Sequence, residues 1–465
     1  MSYIYYLLVL LGSALFCVAV VFLLQKPFFK LAVAAVKQMD ILLNPKLDER
    51  EKDRLILKNL GRLLSQLFIN LFLFFVTLAI GALPAVVYVK YAEVETPDVS
   101  SLYFYLSMLI GSLVLFLLKG KSKSDYSYWS KLLHTIILDN YSVGQFLLKR
   151  ELKKNNVKPS DKPFIMVTGL ARAGTTALTN LLYEPKVFHS ISYLNMPFLM
   201  APNLWKKVYN PKKVKERERA HGDNVTFSES SIEALEEYFF KASLNDAYVH
   251  EKSLAVHEIN DDTYALYLKY QQLFKAEDST HYLAKNNNYM LRLDAMNKRK
   301  ANNKVILLFR DPVEHAKSLM RQNENFIAQQ TEDPFVLDYM NWLGHYEFGL
   351  NQKEFDFGLE RLTDNYTKDT LNYWVAIWLN YYQYALQFVR LENLVIVDYQ
   401  DLLHSPNQLK AALAQYLNLT LENTQEEPFQ QKAKPNTDIT VDAVLSEKAY
   451  AVFQQLKELK LELKH

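Results

Sequence analysis

The chain has a single cysteine, Cys17, in 465 residues. That excludes a disulfide framework and a zinc site built on thiolates, and suits a reducing compartment or indifference to redox state. Glycine is scarce, with 12 residues against 30 Tyr and 27 Phe, which favours long helices over a loop-rich β-fold. An excess of charge is also missing: 53 basic and 51 acidic side chains leave +2. Nothing in that balance calls for nucleic acid as a partner. The histidines show no ligand spacing, so no metal site is expected. Internal repeats and low-complexity tracts do not occur.

What the chain does have is apolar sequence in long runs. Ile4 to Leu24 carries no charge and is long enough to cross a bilayer. A second run extends from Leu63 to Tyr88 and a third from Leu102 to Leu118. The third lies near the lower length limit, so it reads either as a tightly fitted span or as a buried globular helix. The first run lacks a basic leader and a small-residue cleavage site, which makes it a retained anchor. Between the first two runs lie Lys26, Lys30, Lys37, Lys46, Arg50, Lys52, Arg54, Lys58 and Arg62, and Lys119, Lys121 and Lys123 follow the third. Glu93, Glu95 and Asp98 occupy the other loop. Positive flanks mark the cytoplasmic side, so this pattern predicts an external N-terminus and a cytoplasmic C-terminal part. The alternative is a Golgi membrane with a lumenal domain, where the sequons at Asn224, Asn365 and Asn418 would matter. The domain reading is a membrane region, 1–125, and a soluble domain, 126–465.

The soluble part reads as α/β. "FIMVTG", "HYLAKN", "KVILLFRDP" and "LVIVDYQDLL" are short apolar runs ending in polar residues, separated by long amphipathic stretches. This is the pattern of buried parallel strands flanked by helices, whose carboxyl ends bind ligands. The aromatic stretch "NYWVAIWLNYYQYALQF" is helical and mostly core, and 210–223 reads as an exposed helix or loop.

The stretch "FIMVTGLARAGTTALTNLL" is a strand, a small-residue loop and a helix. Gly169 and Gly174 have P-loop spacing, yet Thr175 stands where a nucleoside-triphosphatase places lysine, and Arg172 sits inside the loop. Backbone N–H groups from Ala173 to Thr176, the hydroxyls of Thr175 and Thr176, and the Arg172 fork suit an anion that needs no metal clamp. A sulfuryl group fits that description. In "VILLFRDPVEHAKSLMRQ", Arg310 at a strand end and Ser318 on the next helix can hold a separate phosphate. Two such anion sites match a nucleotide with a phosphosulfate at one end and a 3′-phosphate at the other.

With these motifs, and with "LAKNNNYMLRL" and "VDYQDLLHSPNQLKAALAQYLNL", the chain resembles the PAPS-dependent sulfotransferases over roughly residues 160–420. The similarity is to bacterial-type members with an R-x-G-T-T loop. It implies a P-loop-like fold, PAPS (3′-phosphoadenosine 5′-phosphosulfate) as donor, PAP as product, and an alcohol, phenol or amine as acceptor. A membrane anchor suggests a lipid, glycan or other membrane-associated acceptor, alongside the bilayer itself as partner.

The resemblance implies a charge-stabilising role for Arg172 and the loop amides. Lys285 at a strand end is either a second cation on the sulfuryl group or a surface lysine beside an asparagine turn. Some relatives carry a glutamate shortly after the loop, but "HSISYLNMPF" has no carboxylate. His221, Glu233 and Glu237 are the candidate bases in its place, and His345 and Glu347 are candidates for the acceptor side or the core. Two rival readings remain: a membrane-tethered P-loop kinase or NTPase, and an inactive nucleotide-binding module.

Overall fold

The computed structural model describes residues 2–91, 101–114, 126–209, 216–218, 226–228, 234–275, 279–422 and 440–463. They form two compact units, 1–143 and 144–465.

In the first unit, helix Ser2–Ala19 passes through a π-helical turn, Val20–Leu24, into helix Gln25–Leu43. Helix Glu49–Tyr91 follows, 43 residues long. At about 1.5 Å per residue it extends roughly 65 Å, twice the thickness of a hydrocarbon core. The unit thus contains two helical stretches long and apolar enough to cross a membrane, Tyr3–Leu43 and Glu49–Tyr91. Phe68, Phe72 and Phe75 project from the second one, well exposed. The basic segment 26–62 is mostly helical, because its apolar residues keep helical spacing and the two helices pack on each other. Asn59 seals that contact by donating to the Ala34 carbonyl at 3.0 Å and to Gln38 Oε1 at 2.8 Å. The third apolar run forms helix Leu102–Ser112, only 11 residues, too short to span by itself among the described residues. Residues 115–118 of that run lie outside them. Helix Tyr128–Leu138 also belongs to this unit, and the buried Asp40 accepts from the Ser142 N–H at 2.7 Å. The first unit therefore runs past the boundary expected at 125.

The second unit is α/β. Its sheet has five parallel strands: β1 (Phe164–Thr168), β2 (Phe188–His189), β3 (His281–Lys285), β4 (Asn303–Phe309) and β5 (Leu394–Asp398). Their order is β2-β3-β1-β4-β5. Four of them are the runs expected from sequence. All five residues of β1 and of β3 are buried, as they must be when helices cover both faces. Ile165, Val167, Leu178, Leu283, Ile306 and Val397 form one core across the sheet.

This order puts β1 and its loop at the centre. Val167 pairs with Lys285 on one side and with Ile306 on the other, so "LAKNNN" and "FRDP" emerge on either side of the glycine loop. Helix Leu371–Ala385 carries the aromatic cluster, with Trp374, Trp378, Tyr381 and Tyr382 all buried. Two of these also fix the sheet end: Tyr382 donates to the Leu308 carbonyl at 2.7 Å, and Trp378 Nε1 to the Arg310 carbonyl at 3.1 Å. Outside the sheet, Ser253–Ala255 pairs with Glu354–Asp356. Glu216–Glu218 pairs antiparallel with Thr226–Ser228, so the segment expected as exposed helix or loop contains a short strand.

Candidate functional site

The loop between β1 and helix Thr175–Leu182 is possible only with glycine at its ends. A Cβ on Gly169 would lie 2.7 Å from the Leu308 carbonyl oxygen. Gly174 has φ +102°, and a Cβ there would lie 2.7 Å from the Tyr399 ring. Arg172 is also left-handed, at φ +71°, a conformation that costs a non-glycine residue free energy and persists only when its surroundings enforce it. Here the Ala173 N–H donates to the Leu170 carbonyl at 3.0 Å, and His315 Nε2 donates to the Ala171 carbonyl at 2.7 Å. The loop is thus tied both to itself and to helix Pro312–Glu332. Its closing residues begin a helix whose first N–H groups are available to an anion.

Cations meet the loop from both sides. On the β4 side, Arg172 Nε donates to Ser318 Oγ at 3.4 Å. Arg310 is 6% exposed and lies with its guanidinium carbon 4.7 Å from the centre of the Tyr399 ring. Among the described residues it pairs with no carboxylate. Burial lowers its pKa and the neighbouring Arg172 cation adds to that, against the raising effects of Tyr399, Glu314 and Asp311. Asp311 is occupied elsewhere: it caps helix Pro312–Glu332, accepting from the Val313 and Glu314 N–H groups at 3.1 and 2.9 Å. The two anion sites that sequence separates, Arg172 in one and Arg310 with Ser318 in the other, are therefore neighbours.

On the β3 side, Lys285 is 8% exposed and donates to Thr176 Oγ1 at 2.7 Å. It is a component of the loop site, not a surface lysine. The three asparagines after it are buried. Asn286 Nδ2 reaches Glu237 Oε2 at 2.9 Å, and Asn288 Nδ2 reaches the Gly344 carbonyl at 2.9 Å. Asn287 is the connector. Its Oδ1 lies 3.5 Å from Thr175 Oγ1, its Nδ2 donates to Glu347 Oε1 at 3.0 Å, and its carbonyl accepts from Tyr381 at 3.2 Å. Glu347 is half-buried, and its second oxygen makes no hydrogen bond among the described residues.

The candidate bases fare differently. His221 and Glu233 lie outside the described residues. Glu237 is sealed in the interior at 1% exposure, its two oxygens gripped by Arg292 at 2.6 and 2.8 Å and bonded also by Tyr248. Burial alone would raise its pKa, but the Arg292 guanidinium overrides that and holds it down to about 2. With every lone-pair direction engaged, Glu237 holds the fold behind β3 and has no path to an acceptor proton. Burial pushes its neighbour Glu236 up to about 7, and Tyr267 donates to it at 2.8 Å. His345 bonds the Ala234 carbonyl at 3.0 Å, a core contact. Asp398, the last residue of β5, caps the following helix, and Asp401 pairs with Lys460. The Asn287–Glu347 link is the part of the site that sequence does not show, since nothing local ties "NNN" to "HYEFG".

No curated protein matches the chain. Among solved structures it is similar to the sulfotransferase STF1 of Mycobacterium tuberculosis H37Rv, at 13% identity and a TM-score of 0.38, covering 73% of this chain and 88% of that one. It is also similar to the sulfotransferase STF9 of Mycobacterium avium, at 12% identity and a TM-score of 0.35, covering 79% and 86%. A sulfotransferase of Alicyclobacillus acidocaldarius gives 14% identity and a TM-score of 0.30, covering 64% and 94%. The model of the sulfotransferase family matches residues 163–423, which include β1, the glycine loop, Lys285, Arg310 and Ser318. The chain belongs to the sulfotransferase family.

Proposed function

We propose that this enzyme transfers the sulfuryl group of PAPS to a hydroxyl or amine of a membrane-associated lipid, glycan or small molecule, releasing PAP. The observation that carries this reading is Arg310, a buried guanidinium with no carboxylate partner among the described residues, next to a loop with a second cation, Lys285, on its other side. A buried charge is costly unless it is compensated. Arg310 has Glu314 and Asp311 near enough to act on it but no carboxylate in ion-pair contact among the described residues, so it suits an anionic group of a ligand; Lys285 beside the loop suits a second. The donor set fits PAPS: Arg310 and Ser318 for the 3′-phosphate, and the amides of Ala173–Thr176 with Lys285 for the phosphosulfate. Arg172, bonded to Ser318, joins the loop to the first of these.

Sulfuryl transfer is treated by analogy with phosphoryl transfer, as an in-line displacement through a loose transition state. The acceptor oxygen bonds to sulfur as the bond from sulfur to the bridging oxygen of the 5′-phosphate breaks. Lys285, Arg172 and the loop amides stabilise charge on the transferring and leaving oxygens. The acceptor's proton passes to Glu347, the half-buried carboxylate that Asn287 ties to Thr175. The kinase reading is weaker, because Thr175 replaces the P-loop lysine and Asp311 is committed to a helix cap.

Calorimetry on the purified full chain tests the donor. PAP is expected to bind without added Mg²⁺, since the donors are protein groups. Arg310→Ala is expected to weaken PAP by roughly tenfold to a hundredfold, from a lost charged fork of about 1.5–3 kcal/mol. Adenosine 5′-phosphosulfate, which lacks the 3′-phosphate, should be indifferent to the substitution. Binding of PAP that requires a divalent ion would overturn the reading.

The same proposal puts the catalytic unit in the cytoplasm, on the strength of the basic 26–62 segment and Lys119–Lys123. A C-terminal alkaline phosphatase fusion is then expected to be inactive in intact cells. An active fusion would reverse the topology and leave the chemistry untouched.

A further inference from the structure

The sulfotransferase unit carries a surface that the chemistry above does not use. Helix Tyr141–Lys154 ends in "LKRELKK", and Arg150, Lys153 and Lys154 are exposed on adjacent positions of its last turns. The short helix Pro202–Lys206 packs beside it: Asn203 donates its N–H to Glu151 at 2.6 Å. That contact brings Lys206 and Lys207 to the same side. Lys207 reaches Lys154, and this like-charged contact lowers the Lys154 ammonium's pKa. Glu151 is the one carboxylate in 141–154 and 202–209, and it is buried against Asn203. The exposed surface of these two segments is therefore cationic.

Apolar side chains stand among these charges. Leu204 is 44% exposed and Val208 is 77% exposed. They stay outward because the aromatic side chain between them faces the other way: Trp205 stacks on Phe198 at 5.1 Å and on Tyr209 at 5.3 Å. Exposed cations interleaved with protruding aliphatic groups match an anionic bilayer surface, where ammonium groups meet phosphates and the aliphatic groups enter the headgroup layer. In sequence, Arg150, the first of these cations, lies seven residues after the end of the first unit.

We propose that this surface, formed by helices Tyr141–Lys154 and Pro202–Lys206 with Val208, docks on the anionic lipid leaflet facing the catalytic unit, holding its loop site near membrane-borne acceptors. The proposal rests on the membrane reading of the first unit. A soluble anion is the wrong size of partner for it: five cations and two aliphatic groups spread over two helices form a face, not a pocket.

The test uses the full chain with Cys17→Ser, reconstituted in vesicles and labelled with an environment-sensitive fluorophore at Val208→Cys. A second preparation carries the label at Phe72→Cys, on the exposed face of helix Glu49–Tyr91. Quenching by nitroxide-bearing lipids is read in phosphatidylcholine alone and with about a third phosphatidylserine. The Val208 label is expected to be quenched at least about threefold more in the anionic vesicles, with the excess lost near 1 M salt, where the screening length is about 3 Å. Lys153→Glu, Lys154→Glu and Lys207→Glu together should abolish the excess while turnover on a water-soluble acceptor stays unchanged. Equal quenching in both lipids, or an excess that survives charge reversal, overturns the docking surface. If the Phe72 label is quenched and the Val208 label is not, the docking surface alone falls. If neither is quenched, the membrane reading falls with it.

Discussion

Arg172→Ala is expected to lower turnover by roughly 10²–10³, the usual consequence of removing a charge donor from a transition state. The structure adds a second expectation. Arg172 Nε donates to Ser318 Oγ, and its cation is felt by Arg310, so the side chain also belongs to the wall proposed for the 3′-phosphate. PAP affinity is therefore expected to drop about tenfold, one charged hydrogen bond's worth. The two effects separate in a single-turnover experiment at saturating PAPS, where only the chemical step is seen. Arg172→Lys should recover part of the rate, because it keeps the charge and loses the fork. The φ of +71° complicates neither variant, since both replace one L-residue by another at the same strained position. An alanine variant that turns over as fast as the parent at saturation would confine Arg172 to nucleotide binding.

The parts of the site that were legible in sequence are those whose chemistry is local. The loop spacing of Gly169 and Gly174, the Arg172 between them, and the placement of Arg310 at a strand end with Ser318 on the next helix all lie within single strand–helix units. The four longer strands were legible because a parallel strand buried on both faces has to be an unbroken apolar run. The two-residue strand β2 leaves no such trace. Carboxylates were harder, because their roles depend on partners remote in sequence. Glu237 stands in a run of acids in "EALEEYFF", and nothing there shows that Arg292, 55 positions on, will neutralise it. Lys285 is ambiguous for the same reason: only burial and a bond to Thr176, 109 positions away, show that it is no surface lysine but lies against the loop. The basic segment 26–62 misleads differently. Its charges have the pattern expected of a membrane flank, yet its apolar residues keep helical spacing, so what reads as a loop is largely the packed ends of two helices.

Glu347→Gln is expected to lower turnover by roughly 10²–10⁴, the range for losing a general base. The substitution is chosen for what it preserves. Glutamine has the same shape, and its carbonyl oxygen can still accept from Asn287 Nδ2, the contact that holds Glu347 at 3.0 Å. Asn287 can then keep its place beside Thr175 and under Tyr381, so the loop and its nucleotide contacts should not move. PAP binding by calorimetry is accordingly expected to match the parent, which distinguishes a lost base from a disturbed loop. Asn287→Ala supplies the complementary measurement. It leaves the carboxylate but removes its tether, so turnover should fall by less than in Glu347→Gln, and PAP affinity should weaken because Thr175 loses its neighbour. Glu347→Gln with parental turnover would move proton removal away from this carboxylate. His221→Ala and Glu233→Gln would then be the variants to measure, since both belong to the stretch that connects the short helix Pro202–Lys206 to the buried Glu236–Glu237 pair.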